Sequence, residues 1–277
     1  MYTEAPARRA IRKRLGAWFL ASRRDLPWRR TRDPYRILVS EIMLQQTQVA
    51  RVVPAYRAFL ERFPTLGALA AASLGDVIRQ WSGMGYNRRA RDLHRIAREC
   101  PDGLPSDVAA LDALPGVGAY TAGAVACFAH SARTPFADTN VRRVLGRLVL
   151  GRVATEREAV AIDGELMPRD APAWHHALMD LGATVCVART PRCEACPLAA
   201  LCASRGRIVA TPRRAQAAFA TSDRRVRGWI VALLRERDMT TSALATAIDD
   251  PRVPRLVRAL ASDGLVELRG SRVSLPL

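Results

Sequence analysis

Apolar residues recur every three to four positions in nearly every segment up to about residue 202. This is the period of an amphipathic helix, and no run alternates strictly as a half-buried strand does. The pattern therefore predicts an all-α fold for this part of the chain. Asp33-Pro34 is predicted to open one helix. The other predicted helices cover 7–22, 54–61, 73–80, 87–99, 106–112, 119–130, 140–149, 155–166 and 172–185.

The pattern changes after residue 205. Residues 206–224 include Thr211-Pro212-Arg213-Arg214 and have little periodicity, which predicts a linker. Beyond the linker, three segments with helical spacing precede two short apolar runs around a glycine turn, which predicts a winged-helix-like domain at 225–277. The three helices are predicted at 225–236, 241–248 and 253–262, and the two strands at 265–268 and 272–275.

The balance of charge points to a polyanionic partner. The chain of 277 residues has 43 Lys and Arg against 26 Asp and Glu, a formal net charge of +17. A strong excess of base favours nucleic acid, because bound phosphates release their counterions. All basic residues but Lys13 are arginine, which indicates codon bias, but that bias does not explain the excess of base over acid. Arg252, Arg255 and Arg258 of the last predicted helix are candidates for phosphate contacts, or else a solvated basic face.

The sequence also predicts where the protein works. No run approaches the roughly 20 apolar residues that span a bilayer, and residues 1–25 lack a signal-peptide core. We therefore expect a cytoplasmic protein, associated with the nucleoid in a bacterium. In that reducing compartment its six cysteines are expected to bind metal rather than to form disulfides.

Four of the cysteines form one motif. They are spaced Cys-x6-Cys-x2-Cys-x5-Cys, whereas structural zinc sites usually pair two short knuckles across a longer gap. Four thiolates in one short loop suit a compact 4Fe-4S cluster, with zinc as the alternative. Cys100 and Cys127 fall on apolar helical positions, which predicts buried thiols. The predicted ligands are Cys186, Cys193, Cys196 and Cys202.

A glycine-containing turn is a candidate phosphate site. Leu114-Pro115-Gly116-Val117-Gly118 lies between two predicted helices. Its glycines allow the backbone to approach an anion, and amides at the next helix N-terminus favour negative charge. By itself the turn is also compatible with an ordinary connection between antiparallel helices.

Two carboxyl groups are candidates for acid-base chemistry. A protonated acid and an ionised carboxylate can divide proton donation and charge stabilisation between two environments. Glu41 lies among apolar residues, which would keep it protonated, although it also shares a predicted helical face with Gln45 and Gln48, as in a solvent-facing stripe. Asp138 directly precedes an arginine-rich helix, where an N-cap is the alternative interpretation.

Several segments in order resemble the MutY family of adenine glycosylases, which belongs to the helix-hairpin-helix superfamily of endonuclease III. The resemblance covers about residues 8–205. Its motifs are LPWRRTRDPYRILVSEIMLQQTQV at 26–49, WSGMGYN at 81–87, LDALPGVGAYTAGAV at 111–125, PFADTNV at 135–141, and the cysteine loop.

The resemblance implies a domain organisation. A six-helix barrel with the helix-hairpin-helix is expected at 30–133. An iron-sulfur cluster domain is expected to combine 1–29 with 134–205. In this family the cluster is structural and orders a basic, DNA-facing loop, for which Arg189, Arg192 and Arg205 would supply the charge here.

The resemblance also implies roles for individual residues. The matching glutamate, Glu41, protonates adenine, and Asp138 stabilises or transiently bonds the sugar C1′, with Asn140 organising the site. Bifunctional relatives place a Schiff-base lysine where Tyr120 stands, and this chain has no lysine after Lys13. A monofunctional glycosylase is therefore expected, with Tyr120 in the catalytic site.

The implied DNA contacts come from three loops and one arginine. Gln46 and Thr47 would insert near the mispair, and Tyr86 would wedge into the stack left by the flipped base. Asn87 stands where the family commonly has a second aromatic residue, which places one intercalating contact in doubt. Arg29 and the turn residues Gly116, Val117 and Gly118 complete the predicted DNA-binding set.

The implied activity is removal of adenine opposite 8-oxoguanine or guanine, by a monomer acting on mispaired double-stranded DNA. No Nudix-like segment follows Gly206, so recognition of 8-oxoguanine is implied by the family alone. Two alternatives stay open. One is a thymine or uracil mismatch glycosylase of the same superfamily, and the other is a redox-responsive iron-sulfur DNA-binding regulator.

Overall fold

The computed structural model describes residues 4–207 and 218–277. The described chain is predominantly helical, and its three strands all lie between residues 239 and 274. It divides into two compact units. The first comprises Met1–Ile37, Ser106–Ala113 and Val117–Arg213, and the second comprises Leu38–Pro105, Leu114–Gly116 and Arg214–Leu277.

Within the described residues, six α-helices form most of the first unit. They are α1 (Ala5–Ser22), α7 (Val108–Asp112), α8 (Ala119–His130), α9 (Thr139–Leu145), α10 (Glu156–Leu166) and α11 (Ala171–Thr184). Helix α1 buries Ile11, Leu15 and Phe19, one residue every four, on a face that packs against α11. Arg12 of α1 donates from Nε to the carbonyl of Leu166, 2.7 Å away, and so caps the C-terminus of α10.

The second unit contains two helical groups. Helix α2 (Pro34–Leu44) begins in the first unit and continues into the second. The first group is α3 (Val49–Arg62), α4 (Leu66–Ala71), α5 (Leu74–Gln80) and α6 (Arg88–Glu99). The second group is α12 (Asp223–Glu236), α13 (Thr241–Ile248) and α14 (Val253–Ser262), with strands β1 (Met239–Thr240), β2 (Glu267–Arg269) and β3 (Arg272–Ser274).

The C-terminal group has the predicted three helices and hairpin. Its antiparallel sheet has the order β1-β3-β2, with Val273 paired to Met239 on one side and Leu268 on the other. Strand β1 was not predicted, because two residues are too short to show a period. Most other predicted elements lie within a few residues of those observed, but α4 was missed, and α3 begins five residues before Pro54.

The predicted domain boundaries remain predictions, and the compact units do not coincide with them. Residues 225–277 belong to the same unit as 38–105, and helix α8 to the same unit as the cysteine loop. Of the predicted linker, residues 208–217 lie outside the described residues. Among the helices of the described chain, none is both long and apolar enough to cross a membrane.

Candidate active site

Glu41 lies on the buried part of helix α2. The helix is opened by Asp33, whose Oδ1 accepts from the amide of Tyr35 at 2.9 Å, and Pro34 occupies the first helical position. The residues from Ile37 to Met43 are all buried, and Glu41 is only 5% exposed. A solvent-facing stripe is therefore excluded for Glu41, which lies in the apolar setting that its neighbours predict.

The residues that follow Glu41 leave the helix. Helix α2 ends at Leu44, so Gln45 and Gln48 do not share a helical face with Glu41, and that expectation was wrong. Leu44 is followed by a loop, in which Gln46 is exposed with a left-handed φ of 55°. Thr47 Oγ1 donates to the carbonyl of Gln45 at 3.2 Å, which tightens the turn.

Buried Arg89 holds this loop beside another. Its guanidinium donates to the carbonyls of Ile42 and Met43, which the end of a helix leaves without partners. It also donates to the carbonyl of Gln45 at 2.6 Å and of Gly85 at 3.3 Å. Burial lowers the pKa of Arg89 to about 10, so it stays charged at neutral pH. Arg89 thus binds the residues that directly precede Gln46 and Tyr86.

The second loop presents Tyr86 to solvent. Trp81 is fully buried and donates from Nε1 to the carbonyl of Gly85 at 3.0 Å, so it is a core aromatic residue. Tyr86 is 42% exposed and has a left-handed φ of 48°. Its ring lies over the guanidinium of Arg89, with 5.2 Å between the guanidinium carbon and the ring centroid. Of the two aromatics in this motif, only Tyr86 is available to DNA.

The glycine turn has the local geometry of an anion site. Gly116 has a φ of 70°, and a Cβ there would lie 3.0 Å from the side chain of Asp92. Gly118 is the N-cap of α8, while Val117 is buried. The turn therefore leads into the N-terminus of a 12-residue helix, whose backbone amides are the predicted phosphate donors.

Asp138 is both an N-cap and a member of a polar network. Its Oδ1 accepts from the amide of Val141 at 2.7 Å, and its Oδ2 accepts from Asn140 Nδ2 at 2.8 Å. Asn140 Oδ1 in turn accepts from Arg143 at 2.7 Å. The N-cap interpretation and the catalytic one are compatible, because capping uses only Oδ1 of the half-buried Asp138, while Asn140 orients Oδ2.

Arg143 connects this network to the cysteine loop. It is buried, and burial lowers the pKa of its guanidinium. Arg143 Nε donates to the carbonyl of Cys186 at 2.7 Å, while Nη2 donates to the carbonyl of Gly182 and to Asn140, both at 2.7 Å. A continuous path of hydrogen bonds therefore runs from the backbone of the first predicted cluster ligand to Asp138.

Two residues that the sequence did not single out support the segment that carries Asp138. Asp163 is fully buried and accepts from the amide of Phe136 at 3.2 Å and from Trp174 Nε1 at 2.7 Å. It also lies 2.8 Å from Nε2 of His175, a residue for which the sequence suggested no role. A signal existed, because Asp163 interrupts the buried positions of α10 that include Ala159 and Leu166.

Gly182 is the other missed position. A Cβ built on it would lie 2.6 Å from the Cβ of Asn140, so only glycine lets α11 approach α9 this closely. Gly182→Ala is expected to displace Asn140 and destabilise the fold by about 1–3 kcal/mol. Gly16→Ala is the matched control, because Gly16 is also helical but has open space around it. Urea unfolding of both variants checks the prediction, which fails if they are equally stable.

Tyr120 lies in the first turn of α8. It is half-buried, and its ring packs edge-on against Phe136, with 5.6 Å between the centroids. Phe136 precedes Asp138 by two residues, so Tyr120 borders the segment that carries this carboxylate. Its ring cannot form the Schiff base that a lysine forms.

The DNA contact predicted for Arg29 is corrected by the structure. Its guanidinium donates to both carboxylate oxygens of Asp180, at 2.7 and 2.8 Å, and its side chain is only 10% exposed. Burial opposes the charge of Asp180, but the hydrogen bond and charge of Arg29 leave the pKa of that carboxyl below its usual value. The charge of Arg29 is neutralised inside the protein, so Arg29 has a structural role.

All four predicted cysteine ligands line one cavity. No group of three or more His, Cys, Asp or Glu residues is arranged to hold a single metal ion, within residues 4–207 and 218–277. Four thiols from one short loop around a single cavity suit a compact multi-iron cluster. The cavity also contains the buried Oγ of Ser204, which has no hydrogen-bond partner among the described residues.

The surroundings of the thiols fit a cluster as well. Arg147 Nη1 donates to Cys186 Sγ at 3.5 Å, and a positive donor suits a thiolate. Burial raises the pKa of the Cys196 thiol to about 11, so the charge of bound iron is needed to hold it as a thiolate. Cys127 is buried as predicted, whereas Cys100, at the end of α6, is only half-buried, and neither lines this cavity.

Cys193→Ser is expected to abolish or strongly reduce cluster incorporation, because a serine oxygen is a poor substitute for a soft thiolate ligand. Iron and sulfide content and the visible absorption of anaerobically purified protein measure the effect. Cys100→Ser is the matched control and should keep the full cluster. Equal iron content in the two variants would exclude Cys193 as a ligand.

Two family models match the chain. Residues 39–167 match the HhH-GPD superfamily of base excision DNA repair proteins. Residues 186–202 match the iron-sulfur binding domain of endonuclease III. The second match spans the four cysteines and confirms the predicted 4Fe-4S cluster, for which these cysteines are the candidate ligands.

Relatives of similar length are adenine DNA glycosylases. The protein of that name from Mycolicibacterium smegmatis is 46% identical over 267 residues, which cover 91% of this chain and 90% of the relative. Its counterpart in Mycobacterium tuberculosis is 46% identical over 269 residues, with 90% and 88% covered. The human adenine DNA glycosylase is 39% identical over 72% of this chain, but only 40% of the human protein is covered.

Solved structures agree on the fold, and the family follows from the relatives. A thermostable thymine-DNA glycosylase is similar with a TM-score of 0.66 and 28% identity, over 72% of this chain and 96% of that one. A trapped endonuclease III-DNA covalent intermediate has a TM-score of 0.61 and 26% identity, over 71% and 96%. Fold class, glycosylase activity and DNA binding are thereby confirmed. The chain belongs to the MutY-type family of adenine DNA glycosylases, within the HhH-GPD superfamily of base excision repair enzymes.

Proposed function

We propose that the protein hydrolyses the N-glycosidic bond of adenine mispaired with 8-oxoguanine or guanine, and leaves the abasic strand intact. The observation that carries this proposal is the contrast between its two carboxyl groups. Glu41 is buried in a mainly apolar stretch of α2, while Asp138 is half-exposed and oriented by two N–H donors. Such a pair divides acid and stabilising roles between two environments.

In the proposed reaction, Glu41 supplies the proton that the departing adenine needs. Asp138 places negative charge beside C1′ as the bond to the base lengthens and the sugar becomes cationic. Asn140 holds one oxygen of Asp138 and leaves it little freedom to rotate. Water completes the hydrolysis. Because no lysine follows Lys13 and Tyr120 stands at the matching position, the site has no lysine there to form the Schiff base that leads to strand cleavage.

The proposed substrate complex uses three loops. The amides around Gly116 and Gly118 bind a backbone phosphate, and Gln46, Thr47 and Tyr86 contact the distorted mispair. Left-handed φ values at Gln46 and Tyr86 support this role, because strained backbone is concentrated at functional sites. Mispaired duplex DNA is thus the proposed partner, bound by a monomer, and the nucleoid the proposed location.

A thymine or uracil mismatch glycosylase is the second candidate, favoured by the likeness to the thymine-DNA glycosylase structure. Single-turnover cleavage of duplexes containing A:8-oxoguanine, A:G, T:G and U:G, each followed by alkali, separates the two. Release of adenine from the first two duplexes is expected. Release confined to T:G or U:G would overturn the adenine assignment, and no release from any duplex would favour a DNA-binding regulator.

A further inference from the structure

The C-terminal group α12–α14 is fixed to helix α5. Its apolar core, which includes Val226, Ile230 and Leu256, also contains Ile78 of α5. The amide of Gly75 donates to the carbonyl of Pro276 at 2.8 Å, and a Cβ on Gly75 would lie 2.5 Å from that oxygen. This close packing determines where side chains of α12 stand relative to the loop that follows α5.

Arg235 of α12 contacts that loop at its start and at its end. Arg235 donates to the carbonyl of Ile78 and to Ser82 Oγ, both at 3.1 Å, and reaches Asn87 Oδ1 at 3.5 Å. The position where the family commonly has an aromatic residue is thus occupied here by a partner of α12. Just beyond the loop, Arg88 donates a hydrogen bond to Asp263 at 2.6 Å, which joins the start of α6 to the same C-terminal group.

Another arginine of α12 contacts the exposed residue of the loop. Arg224 Nη1 donates to Tyr86 Oη at 3.2 Å. Tyr86 therefore has Arg224 at its hydroxyl and Arg89 over its ring, while its backbone has a costly left-handed conformation. A conformation of this cost persists only when the surroundings impose it, and α12 supplies part of those surroundings.

We propose that the C-terminal group positions Tyr86 for mispaired DNA, with Arg224 as the positioning residue that acts through the Tyr86 hydroxyl. The proposal rests on the proposed function, in which Tyr86 enters the base stack. It assigns the C-terminal residues a share in distinguishing mispaired from matched duplex.

The test is a double-mutant cycle with Tyr86→Phe and Arg224→Met. Binding to A:8-oxoguanine and to matched A:T duplexes is measured by fluorescence anisotropy in an Asp138→Asn background, in which base release is expected to be slow enough for binding to be measured first. Each single variant is expected to raise the Kd for the mispair about three- to tenfold, the size of one lost hydrogen bond, and to change matched-duplex binding less. The double variant should have a Kd no higher than that of the weaker-binding single variant, because both substitutions remove the same hydrogen bond.

Other outcomes overturn the proposal. If the increases in Kd caused by the two substitutions multiply in the double variant, Arg224 acts independently of Tyr86. If Arg224→Met reduces the salt dependence of the binding constant by the equivalent of about one phosphate contact, Arg224 binds DNA directly. No effect of Arg224→Met would also contradict it. Arg272→Met is the control for loss of one C-terminal charge, because Arg272 pairs with Asp238 elsewhere in the group. Failure of the unmodified protein to release adenine would instead refute the proposed function.

A separate observation concerns the cluster. Ser204 Oγ is buried in the cavity lined by the four cysteines, and its hydroxyl has no partner among the described residues. A buried hydroxyl without a partner is costly, so a ligand atom in the cavity is expected to accept its proton. We infer that Ser204 donates a hydrogen bond to a sulfur of the bound cluster.

A donor to cluster sulfur stabilises the more negative, reduced state. Ser204→Ala is therefore expected to shift the reduction potential to more negative values, with unchanged iron and sulfide content. In the unmodified protein, deuterium exchange should remove one strongly coupled proton from the spectrum of the paramagnetic cluster, and Ser204→Ala should lack that signal. An unchanged potential, or an unchanged proton signal, would overturn the inference. Ser131→Ala is a control, since Ser131 contacts Arg32 and does not line the cavity.

Discussion

Replacing Glu41 by glutamine is expected to lower the single-turnover rate of adenine release by about 10²- to 10⁴-fold, the usual contribution of general acid catalysis. Glutamine has nearly the shape of glutamic acid but cannot transfer an acidic proton to the leaving base. Because the two side chains have nearly the same size, the substitution at this buried position changes the acidity of the side chain more than its packing. Duplex binding should change little.

The control for Glu41→Gln is Glu61→Gln, the same substitution at an exposed residue of α3. Its rate should equal that of the unmodified protein. Circular dichroism and iron content show whether the Glu41 variant is folded and loaded. A folded, loaded Glu41→Gln protein with an unchanged rate would remove Glu41 from the mechanism.

Replacing Asp138 by asparagine is expected to slow base release by about 10²- to 10³-fold, the effect of removing one preorganised electrostatic group. The side chain should still cap α9, because asparagine is as good an N-cap as aspartate. The lost property is then the negative charge beside C1′, and stability should be nearly unaffected. Quenched-flow assays of the A:8-oxoguanine duplex measure the rate.

Asp170→Asn separates catalysis from capping. Asp170 caps α11, where its Oδ1 accepts from the amide of Ala173 at 3.1 Å, but no catalytic role is proposed for it. Both variants should unfold at similar urea concentrations, and only Asp138→Asn should lose activity. Equal activity of the two variants would mean that Asp138 is an N-cap and nothing more.

The parts of the candidate site that the sequence itself could indicate are those with a local signal. The cysteine spacing lies within 186–202, and the left-handed glycine of the turn is visible in five consecutive residues. The supporting groups have no such signal. Arg89 reaches the carbonyl of Ile42 across 47 positions, and Arg143 reaches that of Cys186 across 43, so one arginine among many could not be singled out. Gly182 matters only because of the neighbour on another helix.

The sequence by itself determined the helical class, most helix positions and the iron-sulfur cofactor, and it identified candidate cluster ligands and two carboxyl candidates. These follow from periodicity, capping and spacing, which act over a few residues. Only the tertiary structure decided that Glu41 is buried, that Arg29 is neutralised by Asp180, and that Arg224 reaches Tyr86 from 138 positions away. The reason is physical: burial and ion pairing depend on which distant segments pack together, and a local pattern does not specify them.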